Sequence, residues 1–125
     1  PRERRGLLLI DPPFEEPDEL SRLASAIEAA HRKWQTGTIL AWYPIKDMRE
    51  IAAFIRALSN FKLGNALRLE LIRDGSAGPA LRGSGLIIVN PPFTLAADAQ
   101  ILLSALAKAF WPNDRSTVRI DNLTS

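Results

Sequence analysis

Two four-residue stretches, Asp11-Pro12-Pro13-Phe14 and Asn90-Pro91-Pro92-Phe93, share one pattern: a short polar head, two prolines and an aromatic ring. These residue types suit a single task, holding a planar amino group so that its lone pair faces an electrophile. A carboxylate at Asp11 accepts one N–H of an exocyclic amine. The carbonyl of Pro12 accepts the other, because the proline that follows restricts the backbone and turns that oxygen outward. Phe14 supplies a flat face on which a base can stack. Orientation and desolvation do most of such catalysis, and it needs no metal. With proline at about 5% of residues, a chance match belongs in well under about 1% of chains this long. This chain holds two.

The elements around the two copies separate them. Gly6 to Ile10 is a continuous apolar run stopped by Asp11-Pro12-Pro13, which reads as a strand buried on both faces. Asp11 therefore stands at the C-terminal end of a parallel strand, where doubly wound folds place ligands. Pro17, Asp18 and Glu19 open a helix whose stripe is Leu20, Leu23, Ala24, Ile27, His31 and Trp34, ended by Gly37. Thr38 to Tyr43 is a second strand, closed by Pro44. Asp47 and Glu50 form an acidic relative of the capping box before a helix with Ile51, Phe54, Ile55 and Leu58 inside. A turn at Gly64-Asn65 leads to a half-exposed strand, Ala66 to Arg73, in which leucines alternate with Arg68 and Glu70. A Gly/Pro/Ser loop spans Asp74 to Gly83, and a strand, Gly85 to Val89, runs into the Asn90 copy. The last helix covers about Ala96 to Phe110 with Leu102, Leu103 and Leu106 inside, and residues 111–125 read as a tail with room for one short strand.

The expected fold class is α/β: a mostly parallel sheet whose last two strands form an antiparallel hairpin near one edge. Three strands follow Asp11, whereas a helix and a tail follow Asn90. The Asp11 copy is thus the catalytic candidate, and the Asn90 copy reads as a strand-ending turn. A four-stranded sheet that begins with its most hydrophobic strand leaves Leu7 to Ile10 on an open edge unless something pairs with it. This, and an opening at Pro1 rather than Met, make a fragment of a longer protein the expectation.

Composition narrows the function further. The 125 residues are 46% hydrophobic and 24% charged, which excludes a disordered or collagen-like chain. No window approaches the roughly 18 apolar residues of a membrane span. The absence of cysteine removes disulfides, thiolate metal sites and cysteine nucleophiles, so a cytoplasmic protein is the default. A net charge of +2 is only weakly suggestive of an anionic partner.

Three stretches carry a family resemblance: Arg5 to Phe14; Thr36-Gly37-Thr38 with Trp42-Tyr43-Pro44; and Gly83 to Phe93. The first is similar to the C-terminal half of a class I, Rossmann-like adenine-N6 methyltransferase. Together they resemble one bacterial family that methylates N6 of an adenine in large-subunit (23S) ribosomal RNA, with S-adenosylmethionine as donor. The resemblance runs from about Glu3 to Phe110, and the second Pro-Pro block makes it family-specific. It implies that residues 1–110 are the catalytic half of a methyltransferase domain. Asp11, Pro12, Pro13 and Phe14 then match the catalytic tetrad, with Asp11 also at the donor, and ribosomal RNA is the partner. The family usually has tyrosine where this chain has Phe14, so any bond from that hydroxyl is absent. The Gly-rich loop and acidic residue that hold the donor have no counterpart here. This chain alone is expected to bind the donor poorly, with a missing N-terminal half of the same protein as its partner.

Beyond the tetrad, Trp42 and Tyr43 end the second strand on the edge that carries Asp11, and Phe14, Tyr43 and Lys46 are the substrate-binding candidates. Core packing competes for Trp42, and a solvated helix-entry role for Lys46, which could otherwise touch a phosphate. His31 reads as a core or boundary histidine and Glu70 as a surface charge. Arg73, Asp74 and Arg82 flank the loop as solvated residues within reach of RNA. Ser84 has no nucleophile-elbow context. Methylation of DNA adenine, and a non-catalytic nucleic-acid-binding module linked to use of external DNA, are the alternatives.

Overall fold

A computed structural model describes residues 6–14, 18–74 and 82–123. In chain order the elements are β1 (Leu7–Ile10), α1 (Glu19–Lys33), β2 (Thr38–Ile45), α2 (Met48–Ser59), β3 (Ala66–Arg73), β4 (Gly83–Val89), α3 (Leu95–Phe110) and β5 (Ser116–Asn122). Pro17 and most of the Asp74–Gly83 loop lie outside the described residues.

The strands form one sheet in the order β1-β2-β4-β3-β5. β1 runs parallel to β2, with Leu7 opposite Thr38 and Ile10 opposite Ala41. β4 inserts between β2 and β3 and is antiparallel to both, and β5 is antiparallel to β3. The hairpin of β3 and β4 is therefore present, but the expectation of a mostly parallel sheet needs correcting. β1, β2 and β3 do point the same way. Because the reversed β4 separates β2 from β3, one parallel ladder remains. The sheet also has a fifth strand, since the segment read as a tail closes over β3 from Ser116 to Asn122.

Each face of the sheet buries its own apolar layer. Leu23, Ala24 and Ile27 of α1 and Ile51, Phe54 and Leu58 of α2 pack on Ile39, Ala41, Tyr43, Ile45, Ile87 and Val89. These helical positions recur every three or four residues and so share one side of each helix. The side chain of Asp47 accepts a hydrogen bond from the backbone N–H of Arg49 (2.9 Å), which satisfies a donor the first turn of α2 would leave unpaired. On the opposite face Leu67, Leu69, Ile88 and Ala99 form a smaller cluster with Leu103 of α3 against it. Of the leucines expected inside α3, Leu102 is instead 59% exposed.

Pro44 does not close β2, which continues to Ile45 with Pro44 opposite Ser84. β1 ends opposite Ala41, so beyond that point β4 is the one strand beside β2 and the missing proline N–H breaks no ladder with β1. Among the described residues β1 is the edge of the sheet. Leu7 and Leu9 are 64% and 63% exposed rather than buried on both faces.

Candidate active site

The chain leaves β1 at Ile10 and turns through Asp11-Pro12-Pro13 into Phe14, whose φ of 55° lies in the left-handed region. A bulky residue there costs on the order of 1 kcal/mol. The ring of Phe14 packs against the α1–α2 core and stands 5.6 Å from Trp42, at an interplanar angle of 82°. Asp11 is exposed, and its carboxylate has no hydrogen-bond or ion-pair partner among the described residues. With Leu9, Pro12, Pro13 and Trp42 it lines an open cleft of about 580 Å³. The elements thus present an uncommitted carboxylate beside aromatic rings at the C-terminal end of a parallel strand.

The second Pro-Pro turn is built differently. Asn90 has a φ of 55°, and its Nδ2 donates to the carbonyls of Gln35 (2.8 Å) and Gly37 (2.9 Å). Its backbone N–H donates to Asn65 O (2.7 Å), and its own carbonyl accepts from Thr38 Oγ1 (2.8 Å). Asn90 ties three loops together and has no amide donor left for a ligand, in keeping with a strand-ending turn. Gly37, one of its partners, passes directly under Trp34: a Cβ there would stand 2.1 Å from the indole.

Of the substrate-binding candidates, Phe14 does not line the cleft but meets its Trp42 wall, and Lys46 is exposed just past β2. Tyr43 must be moved. Alternation along β2 sends it to the α1–α2 face, where it is fully buried, and sends Trp42 to the cleft. The Tyr43 hydroxyl donates to Glu70 Oε2 (2.7 Å). Burial, reinforced by the charge of Glu70, pushes the phenol far above its ordinary range.

Glu70, expected as a surface charge, is 1% exposed, and Arg68 is 9% exposed. Strand order explains both. Tyr43 and Glu70 each stand opposite Gly85, and Arg119 of β5 stands opposite Glu70. The tyrosine crosses Gly85 to reach the carboxylate, and a Cβ on Gly85 would lie 2.2 Å from its ring. Arg68 Nε sits 3.0 Å from Glu70 Oε2, as an ion pair without hydrogen-bond alignment, and Arg119 Nε sits 3.8 Å from Oε1. This cluster was missed in the sequence. Its faint signal is the Arg-x-Glu spacing on a strand facing a glycine. His31 lies half-buried on α1, as a boundary residue. Among the described residues no three metal-ligating side chains converge, and no helix is long and apolar enough to cross a membrane.

The mixed α/β sheet and its helices are close to a methyltransferase-like fold. A crystal structure of a protein from Legionella pneumophila strain Philadelphia 1 superposes with a TM-score of 0.88 at 31% identity, covering 98% of this chain and 45% of that one. The family model described as ribosomal RNA large subunit methyltransferase D, RlmJ, matches residues 1–123, and the chain belongs to that family. Among curated relatives, ribosomal RNA large subunit methyltransferase J of Haemophilus influenzae is 32% identical over 99% of this chain and 44% of its own length. The protein of that name from Escherichia coli K12 is 33% identical over 76% of this chain and 34% of its own length. The chain thus spans less than half the length of the curated relatives it matches.

Proposed function

We propose that the protein carrying this chain is an S-adenosylmethionine-dependent methyltransferase acting on N6 of an adenine in large-subunit ribosomal RNA, in the cytoplasm. The observation that carries the reading is the carboxylate of Asp11, unpaired among the described residues, in an open cleft whose Trp42 wall meets Phe14 edge to face. Family membership and the relatives' names support the substrate class. The strand order β1-β2-β4-β3-β5, with a reversed strand inserted, supports taking the chain through β5, and not only residues 1–110, as the second half of a Rossmann-like catalytic domain. The exposed leucines of β1 give a donor-binding half of the same protein an edge to pair with.

The bound donor would supply an electrophilic methyl group on a sulfonium sulfur. The uncommitted carboxylate of Asp11 fits the reacting end of such a site. Nothing among the described residues forms the Gly-rich turn and acid that grip the rest of the donor, so this chain supplies the acceptor side. Asp11 accepts one N–H of the adenine amine and the Pro12 carbonyl accepts the other, which aims the nitrogen lone pair at the methyl carbon. Phe14 stacks on the base and fixes its plane. Asp11 takes the amine proton as positive charge builds on nitrogen, so the amine need not ionise beforehand.

The test is Asp11→Ala in the intact protein, followed by transfer of labelled methyl to ribosomal RNA and to DNA of the same sequence. The expected result is loss of transfer with the fold intact, and a wild type active on RNA and inactive on DNA. A variant as active as wild type would sink the assignment. Activity confined to DNA would overturn the substrate class, since the 2′-hydroxyl is what separates the two at one site.

A further inference from the structure

A second groove opens on the α3 face, along the same C-terminal edge of the sheet as Asp11. It has a volume of about 460 Å³, with Trp42, Leu106, Phe110, Trp111, Arg73 and Arg82 among its walls. Trp42 also lines the Asp11 cleft, so its indole is a wall common to both cavities. The groove offers two kinds of surface. One is aromatic: Phe110 is 64% exposed, and its ring lies 6.5 Å from that of Trp111. The other is cationic. Arg73 is neutralised by Asp114 (2.8 Å), but among the described residues Arg82 has no ion pair, and its buried Nε has no hydrogen-bond partner there. The backbone of Arg82 is clamped: its N–H donates to Ile45 O (2.7 Å), and its carbonyl accepts from Arg73 N (2.9 Å). An arginine with an anchored backbone and an Nε unpaired among the described residues, in a groove whose walls also carry the exposed Phe110 ring, is a site for a phosphate with a base attached.

We infer that this groove holds a nucleotide flanking the target adenine, its base against the Phe110–Trp111 wall and its phosphate on Arg82. The inference rests on the methyltransferase reading for the identity of the strand, and its volume suits a single nucleotide. Occupying the groove would draw the strand across Trp42 and present the next base to Asp11.

Two variants of the intact protein test it: Arg82→Gln, which removes the cation, and Leu106→Trp, which fills the groove. Binding of a fluorescein-labelled single-stranded oligoadenylate is read by anisotropy over a salt series, and methyl transfer to ribosomal RNA is read separately. Arg82→Gln should weaken binding about 5-fold and lower the salt slope by about 0.7, the share of one phosphate. Leu106→Trp should weaken binding about 10-fold by displacing one stacked base. In both, the loss of transfer should be carried by KM. A wild type that methylates, with both variants binding as tightly as it does, overturns the groove. A wild type that binds the oligonucleotide through the groove but transfers no methyl overturns the activity and leaves the groove standing.

Discussion

The two Pro-Pro turns have the same pattern of residues and opposite designs. In the first, the left-handed residue is the aromatic one: the chain bends at Phe14, the ring folds back toward Trp42, and Asp11 has no partner among the described residues. In the second, the left-handed residue is the polar head. Asn90 turns inward, bonds to Gln35 and Gly37, and throws Phe93 into solvent, fully exposed. A four-residue motif therefore carries chemistry only where its polar head is free of structural work. Position in the sheet separates the copies, since β4 ends among three loops that bond to Asn90, whereas Asp11 follows β1 into the cleft beside Trp42.

The sharpest way to break this contrast is to truncate both heads. Asp11→Ala should cost the intact protein about 1,000-fold or more in methyl transfer, equivalent to about 4 kcal/mol, because the carboxylate has no substitute in the cleft. Its melting temperature should stay within about 1 °C of wild type, as an exposed, unpaired side chain holds nothing together. Asn90→Ala should do the reverse. It loses two hydrogen bonds and the tolerance of asparagine for a positive φ, a destabilisation of about 2–3 kcal/mol visible in urea denaturation. At a temperature where it stays folded, its rate of transfer should remain within a few-fold of wild type. An Asn90 variant that is stable but inactive would place the second turn in the active site.

The aromatic ends give a smaller contrast of the same kind. Phe14→Ala should reduce transfer about 10- to 100-fold through lost stacking, and Phe14→Tyr should restore it. Phe93→Ala should leave stability within about 0.5 kcal/mol, since a fully exposed ring buries nothing. Equal loss of transfer in the two alanine variants, measured side by side, would erase the distinction between the turns.

The smallest effect concerns the core between the turns and has a definite sign. The Tyr43 phenol is raised above its ordinary value of 10.0 in the folded chain, so the folded state favours its neutral form. The stabilisation is complete below pH 10 and is lost as pH rises beyond it, when the unfolded phenol ionises and the folded one does not. Alkaline titration followed by circular dichroism should show unfolding that begins above about pH 10. Tyr43→Phe should flatten that slope while leaving a constant cost at neutral pH from the unpaired Glu70 oxygen. An unchanged slope would place the alkaline transition elsewhere.

Much of this protein is dictated locally. The apolar run before Asp11, the stripes on α1 and α2 and the acidic cap at Asp47 each depend on residues within a turn or two, and each element formed where its pattern lies. The family-specific blocks around Asp11, Gly37 and Asn90 likewise sit in contiguous sequence. Tertiary structure decided the rest, because burial depends on what covers a strand and not on the strand itself. Arg68 and Glu70 alternate with leucines as surface residues do, yet β5 and the α1–α2 layer enclose them, and Tyr43 reaches Glu70 across Gly85. The insertion of β4 between β2 and β3 reversed the expected ladder pattern, since strand order is fixed by which edges meet and leaves no periodic trace. That same arrangement made Trp42 a wall of two cavities, where an alternating strand pattern alone gives only its face.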